Sequence, residues 1–286
     1  MSDLLHRAQI ELLAKQLGVT PERIAYLERF SSVELHELRN RISDAMFDSN
    51  ADMFRRISAL MPIVPLSIAM PICQKICPPE MGGKAAGAIA LAHPKKVAHA
   101  LSLVKPEYGA SAAPYLDPRA VRHVAHLAPP LPVVAIANEI LQRRDYVTAG
   151  QFVDAATPEL ILEVEKGIDD DAGLILSGAY VFDAEVLNNV VGLIAAHNRA
   201  RVNRIVAAML NGERELQLAS LSVFSRLRPE LIALVGDVLL EEGDDASISA
   251  LFQTFRDAGA DDDFANLLRA MKPETHAALD AIYAQR

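Results

Sequence analysis

Pro94, Pro106, Pro118 and Pro130 stand twelve residues apart, and each opens a stretch the length of one short helix. Proline suits the first helical turn, where its missing N–H has no intrahelical partner to lose, and it disfavours helix in the residue before it. A chain punctuated in this way is built for a stack of short helices. Val97 and Leu101 follow Pro94 by 3 and 7, Val121 and Val124 follow Pro118 by 3 and 6, and Val133, Ile136 and Ile140 follow Pro130 by 3, 6 and 10. Those offsets put apolar side chains on one stripe of a three-turn helix. After Pro106 the corresponding places go to Gly109, Ala110 and Ala113, small residues that let neighbouring helices approach closely. Helices of about ten residues are marginal alone and gain their stability by stacking. The sequence therefore predicts an all-α fold: a superhelix (α-solenoid) of short helices, of either hand, with half-repeats of about twelve residues.

The beat continues past the prolines. Thr157-Pro158-Glu159 places a good N-cap before proline and an acid, and Ile161, Val164 and Ile168 follow in frame. Asp169 to Asp171 and Asp183-Ala184-Glu185 start the next two helices, since acids favour the positive end of the helix dipole. Later starts are expected at Asn198, Gly212, Pro229, Asp244, Asp261 and Pro273, while Pro79 and the stretch after Pro65 fit less regularly. No alternating run of β-branched residues marks a strand. Residues 1–60 are more charged and lack the twelve-residue beat, so they read as an N-terminal helical subdomain. Residues 61–286 read as the superhelix, entered through a packed transition, 61–93, rich in proline and glycine.

With 286 residues and 51% hydrophobic content the chain can bury a continuous core, filled by Ala, Leu, Val and Ile rather than aromatics. Its net charge of −9 disfavours nonspecific attraction to nucleic acid or anionic membrane, although a local basic patch can override the mean. Two cysteines do not make a disulfide scaffold. Met1 to Ile10 is charged and lacks the apolar core of a secretory signal. The most apolar stretch, Met61 to Cys73, is shorter than the ~20 residues of a membrane span and carries Pro62, Pro65 and Pro71. A cytoplasmic protein with no membrane span is the expectation.

His93-Pro94-Lys95-Lys96-Val97-Ala98, Leu116-Asp117-Pro118-Arg119-Ala120-Val121 and Leu127-Ala128-Pro129-Pro130 resemble the cytosolic N-terminal superhelix of MgtE-type magnesium transporters and, more distantly, the N-terminal region of the flagellar motor protein FliG. The likeness is best over residues 90 to about 195. It extends to bacterial proteins that carry such a superhelix without a channel. The resemblance implies a regulatory or protein-binding superhelix. It does not bring magnesium transport with it, because the transporter's membrane helices have no counterpart here, and it places no site residue.

Several local patterns suggest sharper chemistry. Met70, Cys73, Cys77 and Met81, spaced 3, 4 and 4, would line four sulfurs along one face of a continuous helix, a soft arrangement suited to Cu(I). Pro78 and Pro79 end that helix before Met81, and buried Cys and Met are ordinary core residues, so the core reading is preferred. His123 and His126, with His99 nearby, have a spacing compatible with zinc but lack a matching Cys pair or an HExxH pattern. They read as surface histidines. The acids Asp169 to Asp171, Glu241, Glu242, Asp244, Asp245 and Asp261 to Asp263 form no twelve-residue calcium loop and read as helix caps. Leu13 to Ile24 reads as helix, glycine turn and second helix; the helix from Pro21 to Phe30 would be the DNA reader of a helix-turn-helix. Its Glu22 and Glu28 balance Arg23 and Arg29, which favours a packing hairpin over a phosphate-binding one. Arg199, Arg201 and Arg204 form a small basic face expected to be solvated or paired with nearby acids.

Catalytic signatures are lacking: there is no GxSxG elbow, and Met81-Gly82-Gly83-Lys84 is too short for a phosphate loop. The glycines Gly83 and Gly87 read instead as sites of close helix packing. The sequence thus points to a non-enzymatic interaction or regulatory module, without cofactor or metal, whose concave face holds a protein helix or peptide. Arg119 and Arg122, and Arg143 and Arg144, lie opposite the apolar stripes and are the expected partner-binding residues. The alternative is a carrier or sensor of an apolar small molecule held in a cavity beside Met81 to Ala92. DNA binding through the N-terminal hairpin is a further alternative.

Overall fold

The computed structural model describes residues 2–49, 58–59 and 65–284. Among the described residues all regular structure is helical, with no strand. The chain divides into two compact units, residues 2–168 and 169–286. The boundary expected from sequence, between residues 60 and 61, lies outside the described residues, as does Pro62.

In the first unit the proline beat appears as helix starts. Pro94–Leu101, Pro106–Ala112, Pro118–Val124 and Pro130–Gln142 are helices that begin at their prolines, preceded by Leu66–Ile76 and Pro79–Ala92 and followed by Tyr146–Val153 and Pro158–Gly167. Packing skips along this series, because the Pro106 helix lies on the Pro130 helix and the Pro130 helix lies on the Pro158 helix. The Pro79 helix contacts the Pro94, Pro106 and Pro118 helices. The seam is made largely of small residues: Ala90, Ala98, Ala120 and Val124 form one buried cluster, with Val97 and Leu101 packed at its edge. Ala110, Ala113 and Ile140 form a second, edged by Ile136 and Phe152. Of the expected stripe, Val124 and Ile140 lie in these buried clusters, while Val97, Leu101 and Ile136 flank a seam made largely of alanine.

Close approach is real at the glycines expected to provide it. A Cβ on Gly83 would lie 2.5 Å from the Ala112 carbonyl oxygen, and one on Gly87 would lie 2.9 Å from Asp117 Cβ. Gly109 faces Ile136 at similarly short range.

At the N-terminus, helix Ser2–Leu17 ends in a left-handed Gly18, and Val19 N–H bonds the Ala14 carbonyl at 3.0 Å. The segment expected as a second α-helix, Pro21 to Phe30, is instead a 3₁₀ helix over Pro21–Arg29. Its apolar residues explain this: Ile24, Leu27 and Phe30 recur every three residues, the 3₁₀ period, and pack against Ile10, Leu13, Ala14 and Leu35. Leu35 belongs to helix Ser32–Ser49.

In the second unit, helices Asp171–Ala179, Ala184–His197, Arg199–Leu210, Arg214–Phe224, Pro229–Glu242, Asp245–Asp257, Asp261–Ala270 and Pro273–Ala284 follow one another. Side-chain caps start four of these helices. Asp170 accepts from Gly173 N–H, Asp183 from Glu185 and Val186, and Asn198 from Arg201, while Asp244 and Ser247 form a reciprocal capping box. Each such cap contributes about 1 kcal/mol. The core here is bulky, built on Val206, Met209, Val238, Ile248 and Leu251. Phe252, Phe255, Phe264 and Tyr283 meet ring to ring, the closest centroids 4.4 Å apart. A single guanidinium ties this unit's helix ends together. Arg226 donates to the carbonyls of Val181, Gly178, Ala179 and Ser222, taking up acceptors that the end of the Asp171 helix leaves open. Buried Asn188 completes the joint by donating to Arg226 O at 2.8 Å and accepting from Arg228 N–H at 2.6 Å.

Candidate functional site

Helix Leu66–Ile76 presents its apolar residues the wrong way round for a core element. Leu66 alone is buried, Ala69, Met70, Cys73 and Gln74 are half-covered, and the isoleucines face out: Ile68 is 64% exposed, Ile72 52% and Ile76 77%. At i, i+4 and i+8 they make one ridge roughly 12 Å long. Pro71, inside the helix, also lies on the exposed side. The covered side is held by Gln74, whose amide donates to Leu103 O at 3.0 Å and accepts from Lys105 N–H at 2.6 Å. Lys75 and Lys105 are exposed beside the helix, and neither pairs with an acid among the described residues.

The ridge belongs to a wider asymmetry. The large hydrophobics that stand exposed, Leu17, Tyr26, Val33, the three ridge isoleucines, Met81, Leu91 and Leu131, all fall within residues 2–168. Among the described residues the second unit exposes none.

The four arginines expected to form one partner-binding face occupy different settings. The Arg119 side chain, 33% exposed, bonds Asp117 at 2.9 Å and reaches Asp44 and Asp48 at 3.3 Å. Asp117 is itself buried and accepts from Arg119 N–H as the N-cap of the Pro118 helix. The bond from Asp117, with Asp44 and Asp48 adding to it, raises the Arg119 pKa further. Arg143 bonds Glu139 in its own helix and reaches Ser111 Oγ and Glu107 O on the Pro106 helix. Arg119 and Arg143 are therefore fasteners between helices, while Arg122 and Arg144 are exposed. Arg144 adopts a left-handed backbone, φ 57°, and closes the Pro130 helix with bonds from its N–H to Leu141 O and from Asp145 N–H to Ile140 O. Glycine serves at the matching turns Gly18 and Gly259.

The other sequence patterns resolve individually. Arg199 pairs with Glu241, and Arg201 and Arg204 both pair with Asp171, so the small basic face is neutralised by acids. Glu242 accepts from Asn203, and Asp261 from the Tyr283 hydroxyl. In the N-terminal hairpin Arg23, Arg29, Glu22 and Glu28 are exposed together on the 3₁₀ segment. His99, His123 and His126 are exposed, and no group of three or more His, Cys, Asp or Glu side chains able to hold a metal occurs among the described residues. Met81 lies on the helix after Cys77, more than half exposed, so the four sulfurs do not share one helix.

A small pocket of about 70 Å³ is lined by Leu12, Lys15, Arg39, Phe47, Lys84 and Tyr115 among others. Burial pushes the Arg39 guanidinium down to about 10 against the opposing charge of Asp154. Its volume is far below the roughly 300–1,000 Å³ of small-molecule sites. Tyr108, Tyr115 and Asp117 pack closely onto Gly82, Gly83 and Gly87 of the helix Pro79–Ala92. No described helix is long and apolar enough to cross a membrane.

No family model matches the chain, and comparison with curated proteins and with solved structures finds no similar one.

The exposed ridge was missed in the sequence because a pattern of i, i+4, i+8 isoleucines signals a buried stripe as readily as an open one. The one available hint is the weak anchoring of the segment: short, interrupted by Pro71 and outside the twelve-residue beat.

Proposed function

We propose that this chain is a non-catalytic interaction module of the superhelical type, and that the ridge Ile68, Ile72, Ile76 is where its protein partner docks. The observation that carries this reading is the confinement, among the described residues, of exposed large hydrophobics to residues 2–168, with three of them aligned on one helix. Leaving an isoleucine in water rather than buried forgoes about 1.5–3 kcal/mol, so three in register mark a surface awaiting cover. The occupant that fits a straight ridge of this length is an amphipathic helix, read through residues spaced by three and four. Lys75 and Lys105 beside the ridge favour an acidic flank on that partner. The skipping pattern of helix contacts and the resemblance to the MgtE-type superhelix support the solenoid form of the module, and a cytoplasmic setting accords with it.

Replacing Ile72 and Ile76 together by aspartate tests the reading. Capture of a cross-linked partner from native lysate should fall at least tenfold while the melting temperature stays within a degree or two, since both side chains are already solvated. An unchanged capture profile, or loss of capture only for Arg122→Glu and Arg144→Glu, moves the binding surface away from the ridge. Binding to anionic vesicles that the Ile72→Asp/Ile76→Asp protein loses would replace the partner helix with a membrane surface.

A further inference from the structure

Cys73 and Cys77 are the only cysteines of the chain, and the fold places them one turn apart at one helix end. Cys77 is the C-cap of helix Leu66–Ile76, and its N–H bonds the Cys73 carbonyl at 2.8 Å, which keeps the last turn helical and sets both side chains on the same face. Both thiols are free and half-buried. The Cys77 thiol donates to Pro78 O at 3.6 Å, and the two thiols and the Tyr108 hydroxyl lie near enough to shift one another's titration. Tyr108 is itself fixed: it stands on the Pro106 helix, its hydroxyl donates to Cys77 O at 3.1 Å, and it presses against Gly82, where any side chain would displace it. Two half-buried sulfurs at the end of one helix thus stand beside a phenol hydroxyl carried by the Pro106 helix and packed on the Pro79 helix.

The chemistry of that pair is narrow. Burial and the neighbouring sulfur raise the Cys73 pKa above that of an ordinary thiol, and burial with the same sulfurs raises that of Tyr108. A thiophilic cation binds sulfur as thiolate and displaces the thiol proton. Zinc in a structural site requires four nitrogen or sulfur ligands, and among the described residues neither imidazole nor carboxylate joins these two sulfurs to make a group of three. Monovalent copper is soft and is selected by thiolates. Met81 lies on the next helix, apart from the two cysteines.

We propose that Cys73 and Cys77 form a binding site for monovalent copper, with both sulfurs as ligands and the Tyr108 hydroxyl, turned from Cys77 O, donating to one of them from the outer shell. Binding converts two thiols and one cuprous ion into a bis-thiolate complex, releases two protons and changes no oxidation state. The complex carries one net negative charge, toward which the Tyr108 hydroxyl can turn its single proton from Cys77 O. The site stands on the cysteine geometry and is independent of what docks on the isoleucine ridge.

Anaerobic titration of the full chain with cuprous ion, in competition with a coloured cuprous chelator, tests the assignment. One copper per chain should be withdrawn from the chelator, with two protons released and a sulfur-to-copper band appearing in the near ultraviolet. Cys73→Ser and Cys77→Ser should each weaken binding at least a hundredfold, and the Ala variants should do the same with unchanged helical circular dichroism. Tyr108→Phe should keep the stoichiometry but weaken binding about tenfold, the scale of a lost outer-shell hydrogen bond. Copper left on the chelator by the wild-type chain, or taken equally by a Cys73→Ser/Cys77→Ser protein, overturns the proposal.

Discussion

The two units reach an all-helical fold by different economies of side chains. Residues 2–168 start most of their helices at proline and pack them through alanine and glycine, as at Ala98, Ala120 and Gly83. Residues 169–286 more often use aspartate or asparagine caps and fill their interior with leucine, valine and phenylalanine. Small seams bring backbones close but bury little area per residue, which leaves large apolar side chains for the surface. Bulky seams consume them. The difference teaches where to look for function: the unit with the leaner core is the one with apolar surface to spend on something else.

The largest effect should come from the joint on which the second unit depends. Removing the guanidinium in Arg226→Ala strips the carbonyls of Gly178, Ala179 and Val181 of their donor, and a loss of about 3 kcal/mol is expected. Urea unfolding followed by circular dichroism reads it; a midpoint like that of the wild type would mean that the helix end is held by packing alone.

Glycine sharpens the contrast from both sides. Gly83→Ala drives a methyl onto the Ala112 carbonyl and should cost about 1–3 kcal/mol. Gly192, inside helix Ala184–His197, has only the tip of Arg228 within 4 Å, at 3.8 Å, so Gly192→Ala should stabilise by about 0.5–1 kcal/mol. Opposite shifts in the unfolding midpoint support the two modes of packing, and shifts of the same sign would erase the distinction.

The smallest effect concerns acid. Lys272, and then Thr275, donate to Asp237 and hold its carboxyl below the usual range despite partial desolvation. A depressed carboxyl contributes its stability above the unfolded pKa of about 4, and that contribution fades as pH falls through the lower folded value. Asp237→Asn should therefore flatten the acid limb of a stability–pH curve below about pH 4 and leave the neutral-pH shape unaltered. A wild-type acid limb in the variant would remove Asp237 from the pH response.

Helix starts were the most legible part of the fold in the sequence, because proline and the aspartate caps act on their own backbone and need no partner from elsewhere. Asp244 and Pro229 announce their helices within a residue. The Gly212 start shows the margin: Glu213 takes the N-cap and the helix begins at Arg214. What the pattern could not carry was rotation about each helix axis. Val97 and Ala98 are adjacent, and packing alone decides that Ala98 is the more deeply buried. The same limit hid the site. Arg119 reads as an outward cation until Asp44 and Asp48, one turn apart on a helix about seventy residues earlier, arrive beside it. Nothing in the sequence turns Ile72 outward until Gln74 pins the other face of its helix.

The turn at Arg144 and Asp145 has a consequence for how this chain can change length. Arg144 ends one helix, and the next residue both finishes that turn and caps the following helix, with its carboxylate on Thr148 and on Lys15. No spare residue stands between the two helices. Adding or deleting one would break either the closing turn or the cap and would draw Asp145 away from Lys15. Insertions and deletions should be rejected at this joint even where substitutions pass freely, and exposed Arg144, one step away, is open to any residue that tolerates a left-handed backbone.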